Sequence, residues 1–362
     1  MKDLDLARKA INEIDAEMAR LFVKRMEAAK KIAEYKKSHG LKIYDKARED
    51  EVVRRNSLLV EDDVLREYYV NFLKNNMAVS RKYQERLMTG AKIAYSGTVG
   101  AFAHIATTKL FPTAEKVAYP DFASAYAAVE AGECDVAVLP IENSYNGEVG
   151  EVNDLTFSGT LYINAITELA ISQDLLGIPG AAASDIKKVI SHPQALGQCA
   201  KYINKHGFRQ EEFENTALAA KHVSELNDKS VGAIASAEAA EIFGLAVLEK
   251  NINETRTNTT RFAVFSRSQN LLGEKENDVH TILMFTVRHE AGALAKAIEI
   301  IGKHGFNMQA LRSRPMKELL WQYYFYVEAE GNVNTSEGKK MMSELENYCN
   351  NLRAVGTYIK TR

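Results

Sequence analysis

The sequence predicts a multidomain chain in which an all-α helical bundle is followed by an open α/β domain and then by an α+β domain of ferredoxin-like order. Three patterns support this prediction. Apolar residues recur at alternating three- and four-residue intervals over residues 4–36 and 62–88, which is typical of packed amphipathic helices. From residue 92, short apolar runs alternate with helical patterns, as in a βα sheet. After residue 278 the order becomes β–α–β–β–α–β.

The composition is that of an ordinary globular chain and argues against several classes of partner. Of the 362 residues, 46% are apolar and 26% are charged, and the formal net charge is −2. This near-neutral balance does not favour nucleic acid or an acidic membrane surface as a partner. No uncharged apolar run approaches the roughly 20 residues that a membrane span needs. Three widely spaced cysteines and an N-terminus without an apolar signal core predict a cytoplasmic protein with reduced thiols.

The apolar seam of the first helix contains a cation. Position 25 falls within the repeat and is Arg25, and a guanidinium buried in such a seam costs several kcal/mol, roughly, unless it is paired. Ser80 and Gln84 fall in the stripe of the last helix of the bundle, four residues apart and therefore on one face. The bundle is thus predicted to enclose a cationic, hydrogen-bonding pocket suited to an anion. The alternative is that Arg25 pairs with a Glu or points outward.

Residues 3–88 resemble the all-helical chorismate mutases. The eight positions that carry this family's site all hold the expected residue type: Arg8, Arg25, Lys36, Asp45, Arg48, Glu49, Ser80 and Gln84. The resemblance implies a homodimer or higher oligomer in which Arg8 reaches into the partner's site.

The reaction implied by this resemblance is the pericyclic rearrangement of chorismate to prephenate, which needs no cofactor. The arginines of the pocket, Arg25 among them, hold the two carboxylates of the substrate. Lys36 and Gln84 donate hydrogen bonds to the ether oxygen as it gains negative charge. Glu49 holds the substrate hydroxyl.

Polar residues stand where predicted strands of the α/β part end. They are Glu142, Asn143, Ser144, Ser191, His192, Ser236 and Thr260. Because ligands of open α/β sheets bind at the carboxyl ends of strands, these residues predict a site. The stretch Asn258–Phe262 opens an apolar run, and on local grounds a Thr-rich turn with one solvated Arg is an equal alternative.

Residues 92–267 resemble prephenate dehydratase, whose hallmark is a Thr-Arg-Phe triplet. The stretches that carry the resemblance are Gly97–His104, Pro140–Ser144, Ser191–Gln194 with Gln198 and Cys199, and Thr260–Phe262. The resemblance implies two α/β lobes with the site in the cleft between them. The implied site residues are Glu142, Asn143, Ser144, Ser191, Gln198, Thr216, Thr260, Arg261 and Phe262. Ala103 departs from the pattern, which usually has Ser or Thr there.

The implied dehydratase chemistry removes carbon dioxide and hydroxide from prephenate, so a donor is needed beside the departing hydroxyl. Following the family, this role falls to Thr260, whose effect must come from its placement. Arg261 either orients the site and binds a carboxylate or forms a structural ion pair. His192 is either an acid or a structural residue at a strand end.

The C-terminal part, after a polar linker over residues 269–278, resembles the ACT regulatory domain. The residues that match its ligand motifs are Gly292, Ala293, Leu294, Asn307 and Ser313. Phenylalanine is the implied effector. Arg312 stands where the family usually has Glu, and this exchange of an acceptor carboxylate for a cation predicts altered, weakened inhibition. The alternative is that the carboxylate of the effector gains a partner in Arg312.

Together the resemblances imply three domains, 1–90, 91–268 and 279–362, in a bifunctional enzyme of phenylalanine biosynthesis. Its substrates are chorismate and prephenate, and neither a metal nor a cofactor is expected. Two alternatives remain. A small-molecule sensor without turnover has a similar domain order. A prephenate dehydrogenase fusion requires a dinucleotide GxGxxG motif, and Gly97–Gly100 has the wrong spacing for it.

Overall fold

The computed structural model describes residues 2–255, 257–316 and 322–360. The chain divides into two units, Met1–Ala91 and Lys92–Arg362. The described residues of the first unit form three helices, α1 (Lys2–Ser38), α2 (Lys46–Ser57) and α3 (Asp63–Thr89). In the described ranges no helix combines the length and the apolar content that a bilayer span requires.

The helical unit is built by the packing of α1 against α3. Met26, Ala29 and Ala33 of α1 are buried, as are Leu73 and Met77 of α3. The two alanines let the helix axes approach closely, since they fill little of the space between the backbones. The predicted third helix, 62–88, is α3, which begins one residue later because the Asp62 side chain caps it.

The second unit alternates strands and helices in its first part and ends in a second group of strands. Its elements are β1 (Lys92–Ser96), α4 (Phe102–Leu110), β2 (Glu115–Tyr119), α5 (Phe122–Glu130), β3 (Val136–Asn143), β4 (Gly147–Glu148), α6 (Gly150–Ser158), β5 (Tyr162–Ala170), β6 (Asp174–Gly177), β7 (Lys188–Ser191), α7 (Pro193–Gln198), α8 (Ala200–His206), β8 (Arg209–Glu212), α9 (Thr216–Leu226), β9 (Val231–Ala235), α10 (Ala237–Phe243), β10 (Ala246–Glu249), β11 (Thr259–Ser266), β12 (Val279–Val287), α11 (Ala293–Lys303), β13 (Asn307–Pro315), β14 (Tyr323–Glu330), α12 (Ser336–Leu345) and β15 (Cys349–Ile359).

Two sheets organise this unit. The larger is a mixed sheet in the order β13-β14-β12-β15-β5-β11-β3-β1-β2, with β4 paired to β3, and the smaller has the order β10-β6-β9-β7-β8. The chain passes from the larger to the smaller sheet between β5 and β6 and returns between β10 and β11. These two crossing segments hydrogen-bond to each other, since Ile171 N donates to the Asn258 carbonyl over 2.8 Å and Gln173 N donates to Asn253 Oδ1 over 3.0 Å.

The core of the larger sheet joins its two halves. Leu139 and Phe265, from β3 and β11, are buried in the same cluster as Tyr324, Tyr326 and Tyr358 of the C-terminal strands. The single pairing of Gly356 on β15 with Ile163 on β5 continues the sheet from one half to the other. Gly356 is needed there, because a Cβ would lie 2.8 Å from the Ile163 carbonyl oxygen.

Two local predictions are wrong, both because tertiary packing decides the local structure. The stretch from Asn143 to Gly159 is rich in Gly, Asn and Ser, which predicts a loop, but it contains helix α6, whose Val152 and Thr156 are buried. The sequence pattern over 335–350 predicts one helix, but that helix ends at Leu345. The chain after it becomes strand β15, because Cys349 pairs with Val287 on β12.

Candidate active sites

A cavity of about 420 Å³, here called the cleft cavity, is lined by residues from the elements of both sheets. Asn143 and Thr260 come from the larger sheet, and Gln198 and Thr216 come from helices that pack on the smaller one. Ile171 and Asn258, from the two crossing segments, complete this part of the wall. The volume is within the range of small-molecule sites.

The starts of four helices meet the cleft cavity. Lining residues stand at the N-termini of α4 (Phe102), α6 (Val149), α7 (His192) and α9 (Thr216). The first backbone N–H groups of a helix lack helical partners, and the helix dipole places partial positive charge there. Among the described residues, the wall carries no Lys or Arg. Favourable electrostatics for an anion therefore come from helix ends and amide groups.

The orientation of the Asn143 amide is set by its neighbours. Its Oδ1 accepts hydrogen bonds from the backbone N–H groups of Tyr145 and Asn146, each over 3.0 Å. Nδ2 therefore faces the other way, where it donates to Thr260 Oγ1 over 2.9 Å and to Asn258 Oδ1 over 2.8 Å. A backbone N–H cannot accept, so the reversed amide would lose both turn contacts.

The Thr260 hydroxyl is left as a donor by this arrangement. Its oxygen accepts from Asn143, and a hydroxyl has one proton of its own to give. The Thr260 side chain lines the cleft cavity, with 9% of the residue exposed. Gln198 is oriented in a similar way, because its Oε1 accepts a hydrogen bond from Asn258 Nδ2 over 3.3 Å. The N–H groups of the Gln198 amide are therefore available to the cavity.

His192 lies on the wall of the cleft cavity and caps helix α7. Its Nδ1 accepts the backbone N–H of Gln194 over 3.3 Å, which places the proton of the neutral ring on Nε2. The residue thus caps a helix, as its structural alternative implies, while it also lines the cavity, so its role as an acid stays a prediction.

Five of the predicted dehydratase residues do not line the cleft cavity. They are Glu142, Ser144, Ser191, Arg261 and Phe262. Ser191 is fully buried and donates to the Ile234 carbonyl over 2.5 Å. Ser144 Oγ donates to the Thr257 carbonyl and accepts from Thr259 N, which fixes the turn beside the site. Phe262 is 2% exposed and belongs to the core.

Arg261 and Glu142 point away from the cleft cavity because successive residues of a strand face opposite sides. Arg261 Nη1 lies 3.0 Å from Glu142 Oε2, and the same guanidinium contacts Glu328 on β14. Of the two predicted roles of Arg261, the structure shows the ion pair. Burial works to raise the pKa of Glu328, but the hydrogen bonds and charge of Arg261 outweigh it and hold that pKa below its usual value.

Gln173 is a cavity residue that sequence reasoning missed. It lies between β5 and β6, lines the cleft cavity and is 3% exposed, and its buried Oε1 has no hydrogen-bond partner among the described residues. Buried side-chain oxygens are normally paired, so an orphaned one at a cavity indicates a ligand donor. The sequence feature that could have indicated Gln173 is the polar run Ser-Gln-Asp at residues 172–174, which lies between two apolar strands.

The helical unit contains a second candidate site, here called the helical pocket and formed by Arg25, Ser80 and Gln84. Arg25 Nη1 donates to Ser80 Oγ and to the Asn76 carbonyl, the latter over 3.3 Å. Burial lowers the pKa of Arg25. Gln84 is 8% exposed, and its Oε1 has no partner in the described part of the chain. No Glu pairs with Arg25 among the described contacts, and the hydrogen-bond partners of its guanidinium there are neutral polar groups.

The remaining predicted mutase residues have the following contacts. Lys36 lies three helical turns from Arg25 on the same face of α1, and its Nζ donates to the Ile43 carbonyl over 2.5 Å. Asp45 caps α2 by accepting from Arg48 N, while the Arg48 side chain pairs with Glu51 over 2.7 Å. Glu49 pairs with Arg81.

Arg8 lies apart from these residues. It is exposed and 3.9 Å from Asp5. Its 17-residue separation from Arg25 corresponds to roughly 25 Å along α1. Within one chain, the structure therefore does not bring Arg8 to the helical pocket.

The predicted effector residues divide between two ends of the C-terminal strands. Gly292, with φ at +86°, precedes Ala293 and Leu294 at the start of α11, and Ser313 lies near the same end because β12 and β13 run parallel through β14. Asn307 lies at the opposite end, roughly 20 Å along the strand from Ser313, where its amide donates to Glu330 over 2.9 Å.

Arg312, a predicted effector residue, makes contacts within the second unit. Its guanidinium pairs with Glu142 of β3 and lies 5.2 Å from the centre of the Tyr326 ring. The charge of Arg312 thus has a carboxylate partner within the same unit, and its role at an effector site stays a prediction.

Two family models match the chain. The model for prephenate dehydratase matches residues 93–270, and the model for chorismate mutase type II matches residues 7–85. A bifunctional chorismate mutase/prephenate dehydratase of Aquifex aeolicus is 30% identical over 99% of both chains. An arogenate dehydratase/prephenate dehydratase of Arabidopsis thaliana is 33% identical over 74% of this chain and 71% of its own.

Solved structures resemble about three quarters of the chain. GqqA, described as a quorum quenching acylase, is 31% identical with a TM-score of 0.69 and covers 75% of this chain and 98% of its own. A prephenate dehydratase of Arthrobacter aurescens, solved in complex with L-Phe, is 27% identical with a TM-score of 0.68 and covers 74% of this chain and 90% of its own.

Proposed function

The chain belongs to the family of bifunctional chorismate mutase/prephenate dehydratases, and from this premise we propose which residues carry each reaction and how the activities are regulated. It is an enzyme of phenylalanine biosynthesis that rearranges chorismate to prephenate and converts prephenate to phenylpyruvate. Family membership sets aside the binding-module and dehydrogenase alternatives. The three cysteines of the chain are free and buried, and we place the protein in the cytoplasm.

The mutase reaction is assigned to the helical pocket. Arg25 binds a substrate carboxylate while Ser80 holds its guanidinium in place. Gln84, whose amide oxygen has no partner among the described residues, and Lys36 face the rearranging atoms, where a donor stabilises the ether oxygen as its bond breaks. Arg48 and Glu49 release their present partners, Glu51 and Arg81, to meet the substrate.

Completion of the helical pocket by a second copy of the chain is supported by the exposed seam of α1. Its apolar residues are 45–59% exposed in the single chain: Leu4, Ile11, Ile14, Met18 and Leu21. A stripe of this length is typical of a helix that packs on another helix. A homodimer covers it and carries Arg8 to the partner's pocket.

The dehydratase reaction is assigned to the cleft cavity, and the observation that carries this assignment is the hydrogen bond from Asn143 to Thr260. It leaves the Thr260 proton for the hydroxyl that departs from prephenate. The bond from the ring to its carboxylate breaks to release carbon dioxide, and its electron pair enters the ring. The carbon–oxygen bond breaks with its electron pair on oxygen, so the hydroxyl leaves as hydroxide, which takes a proton from solvent to become water. Thr260 stabilises the charge that develops on the leaving oxygen.

The two carboxylates of prephenate are assigned to the helix starts of the cleft cavity. Thr216 begins α9, and its neighbour Asn215 caps that helix. Backbone N–H groups at such ends bind anions without a side-chain cation. Gln198 and Gln173 supply further amide groups to the polar substituents of the substrate.

The C-terminal part is assigned as an ACT domain that responds to phenylalanine. Its element order, β12-α11-β13-β14-α12-β15, and its strand order, β13-β14-β12-β15, support a ferredoxin-like plait. The prephenate dehydratase of Arthrobacter aurescens, which resembles this chain, was solved in complex with L-Phe. Gly292–Leu294 and Ser313, at one end of the strands, form the expected effector end of this domain.

Arogenate is a second candidate substrate of the cleft cavity, because relatives with this activity share the second unit. Arogenate carries an ammonium group where prephenate has a keto oxygen. Two carboxylates, Glu148 and Glu214, line the cavity. Glu148 is already paired with Arg314 over 2.8 Å, so Glu214 is the partner for an ammonium group. A comparison of kcat/KM for the two substrates decides between them.

The proposed assignments are tested by incubating the pure protein with chorismate in the absence of nicotinamide cofactor. Wild-type protein is expected to form phenylpyruvate. The Thr260→Ala protein is expected to accumulate prephenate, since its helical pocket is intact. Formation of phenylpyruvate at the wild-type rate by that variant rejects the assignment of the cleft cavity.

A further inference from the structure

Two adjacent residue pairs connect the cleft cavity with the C-terminal strands. Thr260 is paired in register with Asn143, and Arg261 with Glu142, across β11 and β3. Because neighbouring residues of a strand face opposite sides of a sheet, the first pair faces the cavity and the second faces away from it. A displacement of Arg261 therefore acts directly on the backbone that carries Thr260.

The partner of Arg261 on the far side is a buried carboxylate of the C-terminal part. Arg261 Nη2 lies 2.6 Å from Glu328 Oε1, and Nη1 lies 3.0 Å from Glu328 Oε2, so the pair is bidentate. The Glu328 side chain is 4% exposed. Its remaining acceptor positions are filled by the hydroxyls of Tyr326 and Tyr358. A planar pair with all its hydrogen bonds made has a fixed geometry.

Arg312 extends this contact into a chain of alternating charges. Arg312, on edge strand β13, pairs with Glu142 on β3. Glu142 also pairs with Arg261 on β11, which pairs with Glu328 on β14. We call Arg312, Glu142, Arg261 and Glu328 the ion-pair chain. Its two cations balance its two carboxylates, so neutralising one member leaves an uncompensated charge.

The ion-pair chain lies where the strand pairing itself is irregular. The register between β11 and β3 shifts between Arg261 and Phe262, next to Thr260. At such a bulge the ladder of backbone hydrogen bonds is locally disrupted. Side-chain contacts then contribute more to the position of the strand than they do in a regular ladder.

We propose that Glu328 and Arg312 are positioning residues for the dehydratase site, acting through Arg261 and Glu142 on the distance and angle between Thr260 and the substrate. This inference rests on the proposed role of Thr260. Under this proposal Arg261, the second residue of the Thr-Arg-Phe triplet, acts from the face of the sheet that is opposite to the cleft cavity. It also defines the contact through which a movement of β13 or β14 reaches the cleft cavity.

A purely structural ion pair is the competing explanation, and steady-state kinetics with prephenate separate the two. Arg261→Lys keeps the charge but loses the bidentate geometry, and Glu328→Gln keeps the shape but loses the charge. We expect each to lower kcat by roughly tenfold to 100-fold, the scale of a misplaced catalytic group, with KM changed by less than about threefold. Chorismate mutase activity of the same preparations is expected to stay at the wild-type value.

Arg353→Lys is the matched control. Arg353 is a partly buried arginine of β15 that donates to the carbonyls of Phe157 and Gly159, and so joins the same two parts of the unit. Among the described hydrogen bonds it has none to β3 or β11. It should leave kcat unchanged. Tyr358→Phe removes one hydrogen bond from Glu328 but no charge, and it replaces a charge variant that does not fold. We expect its kcat to fall several-fold.

A double-mutant cycle supplies the decisive comparison. The loss in Arg261→Lys/Glu328→Gln should be clearly smaller than the product of the single losses, because both remove the same geometry. Wild-type kcat in folded Arg261→Lys, Glu328→Gln or Tyr358→Phe protein overturns the inference. Thr260→Ala is assayed alongside, so that the catalytic role of Thr260 and the positioning role are tested separately. If Thr260→Ala retains turnover, the assignment of Thr260 fails. If Thr260→Ala loses turnover and the ion-pair variants do not, only the positioning role fails.

Discussion

Asn143 Nδ2 donates a hydrogen bond to Thr260 Oγ1 over 2.9 Å, and the two residues are register partners on β3 and β11. The amide is itself held by two backbone N–H groups, so it cannot turn to accept the threonine proton. The hydroxyl proton of Thr260 is therefore directed to the cavity. This arrangement supports the proposed role of Thr260 as a positioned donor for a leaving group.

Replacement of Thr260 by Ala is expected to lower dehydratase kcat by about 10²-fold or more, the scale of losing one positioned donor. Thr260→Ser retains the hydroxyl and is the matched control, for which we expect most of the activity to remain. Prephenate turnover and mutase activity are measured on the same samples. Near wild-type turnover in Thr260→Ala assigns the donor role elsewhere, with His192 the next candidate on the wall.

Arg25→Ala is expected to reduce chorismate mutase activity by more than about 10²-fold, because the variant loses a carboxylate ligand that Ser80 holds in position. Dehydratase activity on added prephenate is expected to be unchanged, since the cleft cavity lies in the other unit. Lys36→Ala should behave in the same way.

The control for Arg25 is Arg20→Ala, five residues earlier on α1, where the arginine is exposed and pairs with Glu17. It should leave the mutase rate within about twofold, as is usual for an exposed ion pair. Equal losses of both activities in folded Arg25→Ala protein would refute the assignment of two separate sites.

The contacts of the helical pocket were predictable because they follow from helical periodicity. Arg25, Ser80 and Gln84 occupy core positions of two amphipathic stripes, and stripes that face the same core meet. The proposed donor role of Thr260 was predictable only through a motif. No local rule distinguishes a threonine at a strand end that faces a cavity from one in a turn.

The roles of Arg261 and Glu142 were not predictable from the local sequence. Strand alternation shows that Arg261 and Thr260 face opposite sides, but not what covers the far side. The far side is covered by Glu328 on β14, which lies 67 residues after Arg261 in the chain. Gln173 was missed for a related reason: its environment is created by a crossing between sheets, which leaves no periodic signal.

Arg312→Glu tests whether this residue belongs to the ion-pair chain or to an effector pocket. The change places a carboxylate against Glu142, and like charges about 4 Å apart repel by up to ~4 kcal/mol at an effective dielectric of 20. Both side chains are about a quarter exposed or less, at 21% and 26%, so solvent reduces this value. We expect basal dehydratase activity, without phenylalanine, to fall roughly tenfold.

The control is Lys296→Glu on the exposed face of α11, which reverses a charge that pairs with Glu299. Phenylalanine is titrated against dehydratase activity in each variant. If Arg312→Glu keeps full basal activity and sharpens inhibition by phenylalanine, Arg312 acts at the effector site as the family motif suggests.

Gln173→Leu is expected to raise the KM for prephenate by roughly tenfold, because the substrate loses an amide partner and meets an apolar group of similar volume. The expected change in kcat is small, since Gln173 is not placed beside the leaving oxygen. Gln194→Leu on the same wall, which is exposed in the structure, is the comparison. An unchanged KM in Gln173→Leu would assign the orphaned oxygen to ordered water.

His304 joins the two helices of the C-terminal part through a pair of carboxylates. Its Nδ1 lies 2.6 Å from Glu337 Oε1, and its Nε2 lies 2.9 Å from Glu344 Oε2. The ring can donate to both carboxylates only as the imidazolium. These hydrogen bonds, to Glu344 first and then to Glu337, raise the pKa of His304, and burial opposes them. Lys303 and Lys340 pair with the same two carboxylates.

His304→Gln is therefore expected to destabilise the second unit in a pH-dependent way. A group whose pKa is raised by folding stabilises the native state fully below its unfolded value, about 6.5 for His, and this contribution is lost as the pH rises through the folded value. The variant should melt roughly 1–3 °C below wild type at pH 6 and approach it at pH 9. His206→Gln, whose ring contacts the Tyr202 carbonyl, is the control and should show no such trend. A melting difference that is the same at both pH values would show that His304 acts as a neutral packing residue.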